Sequence, residues 1–151
     1  MPTTRLRELL TENLVPHKVI LHPRAYTASS VAEAAHIPGR EMAKTVVVNL
    51  DGHLALAVLP ATRKVDLERL RQGTGAVQAE LADEREFAGD FPGCEPGAMP
   101  PFGNLYGMPV YVEPHLAAEE GIAFNAGTFS EVVFMDYEDF ARLAHPKLVE
   151  M

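Results

Sequence analysis

Tryptophan is absent from the 151-residue chain, cysteine occurs once, and 13 basic residues face 21 acidic ones. Each shortage excludes something. A net charge of −8 argues against gripping a long nucleic-acid backbone, because such binding draws its affinity from lysine and arginine displacing counterions. Any nucleic-acid contact is therefore expected to be short, around a local cluster such as Arg40, Lys44, Arg63 and Lys64. One cysteine, Cys94, leaves no internal disulfide, which fits a reducing compartment. No apolar run approaches the length that crosses a bilayer, and Met1-Pro2-Thr3-Thr4-Arg5 lacks the apolar core of a secretory signal. The expected location is the cytoplasm, without membrane contact.

Familiar catalytic signatures are also wanting. The six histidines (17, 22, 36, 53, 115 and 145) include no His-x-His, no His-x-x-x-His and no neighbouring cysteines, so no metal site is expected. There is no phosphate-binding Gly-x-x-x-x-Gly-Lys-Ser/Thr, no Gly-x-Gly-x-x-Gly and no Gly-x-Ser-x-Gly. Cys94 could act as a nucleophile only as a thiolate, and the adjacent Glu95 would oppose that charge.

What is present is a globular balance, 47% hydrophobic and 23% charged, sufficient for one domain over 1–151. Leu6, Leu9 and Leu10 fit one face of a helix capped by Thr3 or Thr4 and ended by Pro16. Lys18–His22 forms a first strand. Ser30-Val31-Ala32-Glu33 has the spacing of a capping box, with a helix running to His36. Lys44–Leu50 and His53–Leu59 are apolar runs joined by Asp51-Gly52, a hairpin with a type I′ turn. Asp66 caps a helix carrying Leu67 and Leu70 and ending at Gly73; Ala76–Ala79 is a short strand. Asp83-Glu84-Arg85-Glu86 is a second capping box. Met108–Val112, Gly121–Phe124 and Glu131–Met135 are strands, and Asp136 caps a last helix stopped by His145-Pro146. Interleaved helices and strands with a hairpin give a mixed α/β (α+β) fold on a mixed sheet.

The stretch from Pro92 to Gly103 carries four prolines and three glycines in twelve residues. Proline removes an amide donor and stiffens the chain, while glycine allows left-handed angles and close backbone approach. Such a loop can present the few remaining amides to an oxygen or a water. Lys44, at the head of an apolar strand, is costly to bury and is expected at a sheet edge facing a cleft. An ammonium and free amides together suit a phosphate or an ester carbonyl.

Lys44-Thr45-Val46-Val47-Val48, Gly97-Ala98-Met99-Pro100-Pro101-Phe102-Gly103 and Ala126-Gly127-Thr128 resemble the signature of the YbaK/ProX family, from about His22 to His145. This family includes the editing domain of bacterial prolyl-tRNA synthetases and its free-standing relatives. The resemblance implies a curved central sheet flanked by helices and hydrolysis of mischarged aminoacyl-tRNA, of a small amino acid and a tRNA(Pro)-type substrate, with no metal or other cofactor. Lys44 would hold the terminal adenosine region. Gly97 to Gly103, including Met99, Pro100, Pro101 and Phe102, would position carbonyl and water through the backbone. Thr45, Gly127, Thr128 and Ser130 would border the pocket, with Tyr26 and Thr27 ahead of the second helix. Some relatives carry an acidic side chain just after the turn, where Ser130 and Glu131 stand here. The partners implied are the acceptor end of aminoacyl-tRNA and an aminoacyl-tRNA synthetase. The alternative is a non-catalytic module of the same fold, holding a nucleotide, an aminoacyl ligand or a protein partner.

Overall fold

A computed structural model describes residues 3–151. Its organising element is the hairpin of β2 (Ala43–Leu50) and β3 (His53–Pro60). Asp51 and Gly52 both take positive φ, 53° and 87°, as a type I′ turn requires. β3 pairs in parallel with β5 (Val110–Val112), and β5 with β8 (Lys147–Leu148); β4 (Ala79–Leu81) pairs antiparallel with β2, giving the order β4-β2-β3-β5-β8. A second, antiparallel sheet has the order β1-β7-β6, from β1 (His17–Leu21), β7 (Glu131–Asp136) and β6 (Gly121–Asn125). The mixed sheet expected from the sequence is thus two sheets, hinged by an isolated parallel bridge between Met42 and Ala123.

Side-chain alternation along these strands sorts the apolar residues onto two faces. The inner face carries Ala43, Val47, Val58, Val112, Phe124 and Val133. Against it pack Leu6 and Leu10 of α1 (Thr4–Glu12), Phe140 of α6 (Tyr137–Ala144), and Met99 and Phe102 of the proline-rich loop. The outer face has two patches. Val48, Ala57 and Leu59 lie under Leu70 of α3 (Leu67–Thr74). Met42, Ala123 and Val132 lie under Val31 and Ala32 of α2 (Ala28–Ala34).

Local chemistry explains where the elements begin and end. Thr27, not Ser30, caps α2: its hydroxyl oxygen accepts from the Ser30 amide at 3.1 Å, which places the cap three residues upstream of the expected one. α3 runs past Gly73 to Thr74, and Gly75 takes the left-handed C-cap at φ 75°. Gly73 is instead a contact glycine, since a Cβ there would lie 2.4 Å from Val149. The capping box at Asp83 forms as expected and opens α4 (Glu84–Phe87). Asp136 stands at the start of α6 without a side-chain cap bond. The strand expected from Ala76 begins at Ala79 because the Val77 and Gln78 amides are taken by the Asp51 carboxylate at 2.8–3.1 Å. Three short pieces escape a hydrophobic-period reading: α5 (Pro114–Ala117), a single 3₁₀ turn at Gly103–Leu105, and β8.

Candidate active site

β2 is covered unevenly along its length. On one side β3 pairs with it throughout, Lys44 opposite Leu59. On the other side β4 pairs only with Val48–Leu50, with the Ala82 amide donating to the Val47 carbonyl at 3.0 Å, and the bridge to β6 is at Met42, just ahead of β2. Between these points β2 and β6 run the same way without pairing further, leaving a fork. Peptide groups along a strand alternate in direction. Because the Val47 carbonyl points to this side, the peptide groups of Thr45 and Ala43 do so as well.

Lys44 stands at the fork. By alternation it shares the outer face with Val46 and Val48, while Thr45 shares the inner face with Val47. The expectation of a lysine at a sheet edge is met in a specific form: β2 is a central strand at one end and an edge at the other. Half-burial is the larger cause lowering the Lys44 pKa from its ordinary value, and the nearby Lys64 ammonium adds to it. Of the four basic residues expected here, the two arginines are engaged by carboxylates. Arg40 is held by Glu119 at 3.2 Å and Glu41 at 3.6 Å, and Arg63 by the buried Glu113 at 3.8 Å. Lys44 and Lys64 remain as the coupled pair.

The proline-rich loop closes the other branch. It docks on the turn after β6 by two main-chain bonds, Gly127 amide to Ala98 carbonyl at 2.9 Å and Glu95 amide to Gly127 carbonyl at 2.8 Å. The Glu95 carboxylate adds a bond from the Phe129 amide at 2.7 Å and an ion pair with Arg24 at 2.7 Å. The Arg24 hydrogen bond, then the Phe129 amide, hold that carboxyl below the usual range. Arg24 lies over the Tyr26 ring, which packs on Phe129 at 5.2 Å. Phe129 in turn covers Gly97, where φ is 90° and a Cβ would come 3.1 Å from the ring. The structure therefore brings Tyr26, Gly97, Gly127 and Thr128 together. Thr27 is occupied in capping α2, and the Thr128 hydroxyl lies 3.5 Å from Ser130 Oγ.

Within the loop the residues divide. The Gly97 amide donates to Met99 Sδ at 3.1 Å, a weak acceptor that a charged oxygen would displace. Met99, Pro100, Pro101 and Phe102 are buried, and Phe102 lies between Phe124 and Phe140 at 5.6 and 5.2 Å. Gly103 is buried at the loop's far end, where a Cβ would fall 2.2 Å from the Met108 carbonyl oxygen. A steric demand thus explains glycine at that position.

Cys94 is half-buried with Sγ 3.5 Å from the Tyr106 hydroxyl. Burial raises its pKa, and that of Tyr106 lies above the usual range from the same cause. Glu95, the residue expected to oppose the thiolate, is engaged by Arg24 instead. Glu131 is buried and shares the inner face with Val133 and Met135, opposite to Lys44. Sequence reasoning missed Asn125, two residues beyond the bridge on β6 as Lys44 is on β2, and on the same outer face as Ala123. Its signal was a polar residue ending an otherwise buried strand next to Ala126-Gly127-Thr128.

The fork faces solvent: Lys44, Thr45, Asn125 and Thr128 are all partly exposed. Two hollows elsewhere are unsuited to an anion. One depression is lined by Glu119, Glu120, Asp136 and Glu138, and the space beneath the loop by Phe87, Phe91, Cys94 and Met99. Among the described residues no helix is long and apolar enough to cross a membrane.

Known proteins place this architecture. Residues 22–143 match the model of the aminoacyl-tRNA editing domain. The chain is 31% identical over 150 residues to the multifunctional Ser/Thr-tRNA deacylase ProXp-y of Escherichia coli K12, covering 96% of this chain and 89% of that protein. The O157:H7 protein matches equally. A solved candidate trans-editing enzyme for prolyl-tRNA synthetase superposes with a TM-score of 0.82 at 19% identity, covering 97% of this chain and 95% of that one. The hypothetical protein APE2540 superposes at 0.84 and 15% identity, covering 97% of each chain. The chain belongs to the aminoacyl-tRNA editing domain family, and it is an editing hydrolase of aminoacyl-tRNA.

Proposed function

We propose that the protein deacylates, in trans and in the cytoplasm, tRNA mischarged with a small amino acid, serine and threonine foremost, at the fork between β2 and β6. The observations that carry this reading are a half-buried cation on an uncovered stretch of strand edge and an amide loop docked on the turn after β6. The serine and threonine assignment follows the named activity of the E. coli relative. One domain over 1–151 suffices, and an aminoacyl-tRNA synthetase is a possible source of the released substrate rather than a required part.

The chemistry asks little of side chains. An aminoacyl ester is already activated, with a ribose hydroxyl as leaving group. Lys44 holds the phosphate or ribose oxygens of the terminal adenosine, fixing the ester against the loop. Gly97, its amide released from Met99 Sδ, donates to the tetrahedral oxyanion; one such donor supplies about 10²–10³-fold. A water attacks the carbonyl carbon, and the vicinal ribose hydroxyl relays a proton, giving its own to the departing oxygen and taking one from the water, so that the products are the free amino acid and an intact ribose diol. Only the single-stranded acceptor end enters the fork, which suits a net charge of −8.

The test is deacylation of one tRNA charged with serine, threonine or alanine, by the parent and by Lys44→Ala. The expected result is a loss of about 10²-fold or more, with unchanged circular dichroism and melting temperature. Parent-level hydrolysis by the variant would place the site elsewhere. Calorimetric binding of an aminoacyl-adenosine with no turnover by the parent would favour the non-catalytic module.

A further inference from the structure

Asn125 is part of the fork but of no internal network. Among the described residues its Oδ1 is shielded from solvent and has no hydrogen-bond partner, a state shared by His22 Nε2, whereas Glu95, Arg24 and Thr27 around the loop dock are bonded. A shielded amide oxygen left without a donor is destabilising by about 1–3 kcal/mol, so its retention calls for a donor that arrives with a ligand. The register says where. From the Met42–Ala123 bridge, Lys44 and Asn125 are each two residues along strands running the same way, and both face outward. They stand on the two branches of the same fork.

We infer that Asn125 reads the side-chain hydroxyl of the aminoacyl group, its Oδ1 accepting the hydrogen bond that a serine or threonine ester offers and an alanine ester cannot. This rests on the deacylase reading and deepens it. The substrate offers two donors, its α-ammonium and its hydroxyl, and the neighbourhood chooses between them. An ammonium at Asn125 would face the Lys44 cation across the fork and would find a neutral amide instead of a carboxylate. A neutral hydroxyl meets neither objection. Pocket size alone separates serine from alanine weakly, whereas a placed hydrogen-bond acceptor discriminates much more strongly.

The experiment compares kcat/KM for seryl-, threonyl- and alanyl-tRNA, all on one tRNA, for the parent, Asn125→Leu and Asn125→Ala. The parent should prefer the two hydroxyl substrates. Both variants should lose about 10- to 100-fold on them while alanyl-tRNA changes less than about threefold, collapsing the preference. Equal losses on all three would assign the oxygen to the ammonium and overturn the inference, as would no loss. Two substitutions of different size guard against a folding artefact, and the alanyl rate reports a competent site in each. A parent inactive on all three would sink the deacylase reading itself; a parent active on all three with an unchanged ratio in the variants would sink only the role of Asn125.

Discussion

The two ends of the β2–β3 hairpin are built from the same apolar sequence and differ in how their polar groups are satisfied. At the turn end, Asp51 accepts from the amides of Val77 and Gln78, Asn49 Oδ1 accepts from the Gly52 amide, and the Asn49 amide group donates to Glu86. β4 pairs there, and the ladder is complete. At the fork end the strand edge opens, Lys44 is desolvated beside a second lysine, and Asn125 keeps an oxygen without a partner. Polar groups at the first end serve the fold. At the second they are held at a cost in stability, which is how a binding site differs from a structural contact in the same sheet.

Mutation should separate the two ends, beginning with Lys44→Ala, which is expected to erase turnover and spare stability. Asp51→Ala should do the reverse. It removes the acceptor of two amides at the turn, so the melting temperature should drop by about 2–6 °C while kcat/KM stays within about twofold. If Asp51→Ala costs activity as Lys44→Ala does, the division between ends fails. Asp51 also titrates in a useful direction. The Gln78 and Val77 amides lower its pKa, so its contribution is present above the unfolded-state value. It is lost as pH falls through the lower folded-state value.

The smallest expected effect is on the alkaline limb. Burial and then Lys64 lower the Lys44 pKa, so a step that needs the ammonium should fail at lower pH than for an ordinary lysine. Lys64→Gln removes the like charge, raises that pKa, and should move the alkaline limb of kcat/KM upward. A lysine that acts uncharged would instead gain activity as it deprotonates, so the expected loss at high pH would be absent. The pH slope of stability has the same sign as at Asp51, because both pKa values are lowered on folding: the charged lysine is disfavoured, and this penalty lifts as pH rises through the folded-state value toward the unfolded one.

Much of this was legible in the chain. The hairpin was explicit because Asp51-Gly52 fits few conformations other than a type I′ turn, and the capping box at Asp83 because its two partners are three residues apart. Local rules failed where a distant group outbid them. Thr27 displaced Ser30 as cap, and the Asp51 carboxylate took the amides that would have begun β4 earlier. The motif residues Lys44, Gly97 and Gly127 stood out through their types, as did the tilt of the loop toward main-chain chemistry. The fork did not, because it depends on where β4 ends and β6 departs, and neither is written near Lys44. For the same reason Asn125 passed as a turn residue after a strand ending at Phe124, and the roles of Gly97 and Gly103, alike in sequence, separate only once Met108 is seen beside the second.

The most direct test of the site's location is amide chemical-shift mapping with a non-hydrolysable 3′-seryl-amino adenosine. The account predicts perturbations concentrated at Lys44, Thr45, Gly97 and Asn125–Thr128, with the Asp51–Gly52 turn silent. Perturbations gathered instead around the acidic depression at Glu119–Glu120 and Asp136–Glu138, with Lys44 unmoved, would contradict it.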